Sequence, residues 1–132
     1  MIKLAMAGVY VDDVAEAHAF YTDVLGFETR KHMDLGGGTL FVTVGAPEGA
    51  QQDVELLLEP GQGPIAEPYR KALHEAGIPC IVFSVDDVHG EFARLQKLGV
   101  RFTQPPQEQG PVITALLDDT VGNLVQLVQP KP

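Results

Sequence analysis

Apolar residues recur along this chain with two different periods, and the two alternate. In VAEAHAFYTDVLG, residues 14–26, Val14, Ala17, Phe20 or Tyr21, Val24 and Leu25 fall at helical spacing. Asp12 or Asp13 offers a side-chain oxygen to the unpaired N–H groups at the start of that helix. Gly26 stops it, because glycine accepts the left-handed conformation at a helix end. Before it, KLAMAGVYV (3–11) is apolar with small residues and reads as a strand. After it, FETRKHMD (27–34) alternates weakly, Gly36–Gly38 is a turn, and TLFVTVG (39–45) is rich in strand formers. APEGAQQD (46–53) is a loop, and VELLLEP (54–60) is a strand ended by proline. The order is strand, helix, strand, strand, strand.

The glycines and prolines of residues 61–68 mark a linker, and YRKALHEAG (69–77) predicts a short helix. The first pattern then restarts. Residues 78–85 are a strand, and Asp86 or Asp87 caps a helix whose Val88, Phe92, Leu95 and Leu98 share a face. VRFTQ (100–104) is a strand. PPQEQGP (105–111) carries too many prolines to pair and predicts a loop, readable as a lid or as a static connection. VITALLDD (112–119) and NLVQLVQP (123–130) are strands around a turn at Thr120–Gly122.

Landmarks repeat in step with the elements. VDDV occurs at Val11–Val14 and 74 residues later at Val85–Val88. Leu25-Gly26 returns 73 residues on as Leu98-Gly99, and Val54-Glu55-Leu56 returns 71 residues on as Val125-Gln126-Leu127. Three landmarks in order indicate one module written twice. Each module alone leaves a sheet face unburied, so the halves are expected to pack together or against a partner chain.

These residues resemble the vicinal oxygen chelate superfamily, which includes glyoxalase I, bleomycin-resistance proteins, fosfomycin-resistance enzymes and extradiol dioxygenases. Val11, Asp13, Phe20, Tyr21, Leu25, Gly26 and Phe27 carry its opening pattern, and FSVDDV and LLDDTVGNLVQL resemble the start and end of its second half. The resemblance spans nearly the whole chain and implies an α+β fold: two βαβββ modules whose curved mixed sheets form a cleft, with helices outside. The expected organisation is one glyoxalase-like domain over residues 1–132. It comprises a first module (1–60), a linker with a short helix (61–77) and a second module (78–132). Members are often dimers, so a homodimer is expected.

In metal-dependent members, four strand positions project into the cleft. By the resemblance they fall here on Met6, Glu55, Cys80 and Gln126. Where His or Glu would be expected, only Glu55 matches. A thioether, a thiol, an amide and one carboxylate are a poor cage for Mg²⁺, Mn²⁺, Ni²⁺ or Zn²⁺. No cofactor is therefore expected; a divalent metal, if bound, would use Glu55 with Gln126. Met6 and Cys80 also suit ordinary apolar filling.

Glu55 is the tentative catalytic residue. Alternation places it opposite Val54 and Leu56 and beside Leu57. Buried there, its carboxylate needs a partner or its pKa rises. A raised pKa would suit a general acid or base, and an ionised carboxylate would suit a ligand's ammonium group. Tyr10 shares a strand face with Met6 and Gly8, and Phe41 shares one with Thr39 and Thr43; both are candidate ligand contacts, as are Met6, Cys80 and Gln126. His18, His74 and His89 lie on expected outer helices, which leaves His32 as the histidine placed near the cleft, with its facing open.

Charge and cysteine content narrow the classes. Nine basic against eighteen acidic residues give a net charge of −9, which disfavours nucleic acid and would suit a cationic ligand, although scattered acids also serve solubility. The one cysteine excludes an internal disulfide. Ala5-Met6-Ala7 imitates a signal-cleavage site, but the apolar run before it is too short, and no run approaches a membrane span. A cytoplasmic protein without a membrane partner is expected. The leading functional expectation is a cleft protein that binds or transforms a small organic ligand without a family-type metal site. The alternatives are a metal-dependent glyoxalase-type lyase or dioxygenase using Glu55, completed by Gln126, water or His32, and a non-catalytic dimeric interaction protein.

Overall fold

The second aspartate of each VDDV copy caps a helix in the structure, a computed structural model that describes residues Met1–Pro132. Asp13 Oδ1 accepts from the Glu16 amide at 2.8 Å, and Asp87 Oδ1 accepts from the Gly90 amide at 3.0 Å. Both aspartates are extended at the backbone, which aims the carboxylate along the first turn.

The chain divides into two compact units, residues 1–68 and 69–132. In the first, β1 (Met6–Val11) leads to α1 (Val14–Ala19), which continues as one π-helical turn over Phe20–Val24. Strands β2 (Glu28–Gly36), β3 (Thr39–Gly45) and β4 (Glu55–Pro60) follow. The sheet order is β1-β4-β3-β2, with β1 parallel to β4 and the other pairs antiparallel. One face of this sheet packs on α1 and buries Val9, Val11, Val42, Val44, Leu56 and Leu58 with Ala17, Phe20 and Tyr21. Strand alternation puts Met6, Gly8, Tyr10, Phe41, Thr43, Glu55, Leu57 and Glu59 on the other face.

Helix α2 (Ala66–Glu75) spans the division between the units. In the second unit, β5 (Ile81–Ser84), α3 (Val88–Lys97), β6 (Phe102–Gln109), β7 (Val112–Asp118) and β8 (Leu124–Pro130) repeat the order, with sheet order β5-β8-β7-β6. Helix α3 packs on β6, β7 and β8, over a core that includes Val88, Leu95, Ala115, Leu117, Val125 and Leu127.

Residues 105–109 correct the sequence reading. They are not a loop: β6 runs through Pro105 and Pro106, with a register irregularity between Gln104 and Gln107. β6 is an edge strand, so one proline can turn its missing N–H outward, and the irregularity leaves the other outside the ladder. The reversal is confined to the short Gly110-Pro111 connection to β7.

Buried polar groups fix the β7–β8 turn. Asp119 is fully buried, and its Oδ1 accepts from the Val121 and Asn123 amides at 3.0 and 2.9 Å. Its Oδ2 accepts from Asn123 Nδ2 at 3.0 Å. Helix α2 reaches the same turn with two side chains one turn apart. The buried Arg70 guanidinium lies where a Cβ on Gly122 would stand, and His74 Nε2 is 3.0 Å from Asp118 Oδ2. Gly122 has φ +100°, so glycine is required there for conformation as well as for space.

Candidate functional site

The face of the first sheet turned away from α1 carries Glu55, and its surroundings follow from register. Met6 pairs with Glu55 across β1 and β4, and Thr43 pairs with Leu57 across β3 and β4. Thr43 therefore lies diagonally beside Glu55, and its hydroxyl donates to Glu55 Oε1 at 2.7 Å. On β2 a bulge between Thr29 and Lys31 absorbs Arg30, and Lys31 then pairs with Thr43. That pairing brings Lys31 Nζ within 2.8 Å of both Glu55 oxygens.

Glu55 thus has the partner that a half-covered carboxylate needs. Its side chain is 19% exposed, against 47% for Lys31. The Lys31 ammonium, first through its hydrogen bond, holds the Glu55 carboxyl below the usual carboxylate range; the Thr43 hydroxyl adds to this, and burial opposes it. Of the two outcomes open to a covered Glu55, the partner is realised and the raised pKa is not. Arg30 contributes weakly from a distance, because its guanidinium is bound elsewhere. It covers Gly45, where a Cβ would collide with it, and donates to the carbonyls of Ala46 and Ala50 at 3.0 and 3.1 Å. Arg30 is therefore a staple on the 46–53 loop.

The same bulge decides the facing of His32. It pairs with Val42, on the α1 side of the sheet, and its ring stacks on His18 at 5.2 Å. His18 Nε2 lies 2.6 Å from Thr29 Oγ1. His32 therefore stands on the face opposite Glu55, and the two do not meet. Tyr10 and Phe41 do share the Glu55 face, and both are half-buried. Tyr10 pairs with Glu59, and Met33 pairs with Phe41.

The second unit holds the other two expected positions. Gln126 pairs with Val82 on β5 and Leu116 on β7. Cys80 precedes β5 and donates its amide to Leu124 O at 3.0 Å, so it sits two residues before Gln126's partner rather than opposite it. Burial, with a smaller effect from the Asp119 carboxylate, pushes the Cys80 thiol up to about 12. A thiol held protonated is a poor nucleophile at neutral pH.

The family's divalent-metal chemistry does not fit this donor set. Glu55 is already bridged by an ammonium, Gln126 is a neutral amide, and Met6 and Cys80 offer only soft sulfur. No group of three or more His, Cys, Asp or Glu side chains comes together in a way that would hold a metal ion. Sequence reasoning missed Lys31 and Glu59. Glu59 was visible in principle, four residues after Glu55 on one strand and so on the same face. Lys31 was hidden by the bulge, which shifts the parity of β2.

Comparison with known proteins places these observations. The model of the Glyoxalase/Bleomycin resistance protein/Dioxygenase superfamily matches residues 3–127. The uncharacterized protein YurT of Bacillus subtilis (strain 168) is 38% identical over 128 residues, covering 97% of this chain and 99% of its own. Among solved structures, UcmS2 superposes with a TM-score of 0.82 at 28% identity over 97% of this chain and 98% of its own. TnmS3, described as an antibiotic binding protein from Streptomyces sp. CB03234, gives 0.74 at 26% identity over 99% and 98%.

Proposed function

Because the chain belongs to the Glyoxalase/Bleomycin resistance protein/Dioxygenase superfamily, we propose that it binds a small organic molecule on the Glu55 face of its first sheet, without a family-type metal site. The observation that carries this reading is the closed Lys31–Glu55–Thr43 group. A metal would have to displace an ammonium that contacts both carboxylate oxygens. A general base works best with a pKa near the operating pH, whereas Glu55 is held below the ordinary carboxylate range. Both considerations favour binding over catalysis. The surrounding Met6, Leu57, Phe41 and Tyr10 supply the apolar and aromatic surface that small-molecule sites use, with few polar groups among them. The likeness to TnmS3, an antibiotic binding protein, supports the same ligand class.

A thermal-shift panel on chelator-treated protein tests this reading. Aromatic antibiotics and other organic compounds are added singly, beside Ni²⁺, Zn²⁺, Mn²⁺, Fe²⁺, Mg²⁺ and Cu⁺. A native-state ligand at a hundred times its Kd stabilises by about 2.7 kcal/mol, enough to raise the midpoint by degrees. The expected result is a shift with at least one organic compound and none with any metal. A metal-induced shift that disappears in Glu55→Ala would overturn the reading in favour of a metal-dependent enzyme. Silence across both panels would overturn it in favour of an interaction protein.

A further inference from the structure

Glu59 stands apart from the other charged groups on the Glu55 face. Its side chain lies over Gly8, close enough that a Cβ at position 8 would collide with the carboxylate. It is half-buried, yet no side-chain hydrogen bond or ion pair engages it, whereas Glu55 on the same strand face is fully engaged. Aromatic residues flank it. Tyr10 is its direct partner on β1. On β3, where Thr43 pairs with Leu57, the next positions on that face are Phe41 and Glu59, and Met33 lies beyond Phe41.

A carboxylate between two aromatic side chains is the arrangement that recognises an organic cation. The carboxylate supplies charge, and the ring faces attract a cation through their quadrupoles without demanding directed hydrogen bonds. An incoming ammonium would give this part-covered carboxylate a charged partner. Glycine at position 8 lets the carboxylate lie down on the sheet rather than extend into solvent. The chain's net charge of −9 favours the same sign of ligand.

We propose that Glu59, with Tyr10 and Phe41, forms a subsite for the cationic group of an organic ligand, either a protonated amine or a quaternary ammonium. This inference rests on the small-molecule reading above and names the ligand class. Glu59 is a specificity residue in it, while the Lys31–Glu55 pair shapes the neighbouring floor.

The test uses the whole chain and follows NMR chemical shifts during titration with benzyltrimethylammonium, with benzyl alcohol as the uncharged control. Wild type should bind the cation saturably, with shifts at Gly8, Tyr10 and Phe41. Glu59→Gln, which keeps the shape and removes the charge, should weaken cation binding by about tenfold and leave the response to benzyl alcohol unchanged. Gly8→Ala, which displaces the carboxylate, should weaken it similarly. Equal cation binding by wild type and Glu59→Gln would overturn the subsite. So would absence of cation binding while uncharged or anionic aromatics from the thermal-shift panel still bind, and that outcome would leave the small-molecule reading standing. A protonated alkylamine run in parallel separates the two cation types: binding that needs N–H donors will favour the amine.

Discussion

At the scale of single residues, the pairing of Glu55 with Lys31 makes stability depend on pH in a definite direction. The carboxyl is held below its ordinary range in the folded chain, first by the Lys31 hydrogen bond. A depressed folded pKa gives stability that is present above the unfolded pKa and lost as pH falls through the folded one. Thermal midpoints measured from neutral pH downward should therefore separate wild type from Glu55→Gln at neutrality and converge in acid. A gap that stays constant across that range would show that the ionic pairing contributes nothing. The two halves of this pair differed in legibility. Alternation around Val54, Leu56 and Leu57 fixed the facing of Glu55, but nothing in ETRKHMD reveals that Arg30 is extruded. One bulge reverses which of Lys31 and His32 looks at Glu55.

At the scale of elements, the duplicated caps separate two adjacent aspartates that the sequence left as alternatives. Asp13 and Asp87 cap α1 and α3, so Asp13→Ala and Asp87→Ala should each cost about 1 kcal/mol, while Asp12→Ala and Asp86→Ala should stay near neutral. Urea midpoints at constant m-value measure this, and equal effects at both aspartates of a pair would contradict the cap assignment. Strands were legible where they alternate or run apolar between glycines, as in β3, whose bounds at Thr39–Gly45 match the pattern. The failure at β6 has a physical source. Proline's cost depends on whether the strand has a neighbour on both sides, and edge position is a property of the sheet, absent from the local sequence.

At the scale of the whole molecule, charge acts over longer distances than any pair. With net charge −9, the chain should draw a cationic ligand inward and lose that advantage as salt shortens the screening length from about 30 Å at 0.01 M to about 8 Å at 0.15 M. The association rate of benzyltrimethylammonium should fall several-fold over that range, while that of benzyl alcohol should not change. Rates from NMR line shapes at the two salt levels would show it, and a salt-independent cation rate would count against steering. The family assignment was legible because its motifs are caps, stops and core positions that any member needs to fold. The facing of Lys31 and the surroundings of Glu59 were not, because they depend on side chains meeting across β1, β2, β3 and β4, whose registers the sequence leaves open.

The π-helical turn at Phe20–Val24 also accounts for a difference in spacing between the two copies. From the last valine of VDDV to the leucine of Leu-Gly, the first copy spans Val14 to Leu25 and the second Val88 to Leu98, one residue fewer. The first copy therefore holds one residue that a regular helix between the same two landmarks would not need. The wider turn, closed by the Leu25 amide on Phe20 O, takes up that residue without moving either landmark. The π turn is the place where the spacing of the first copy departs from that of the second.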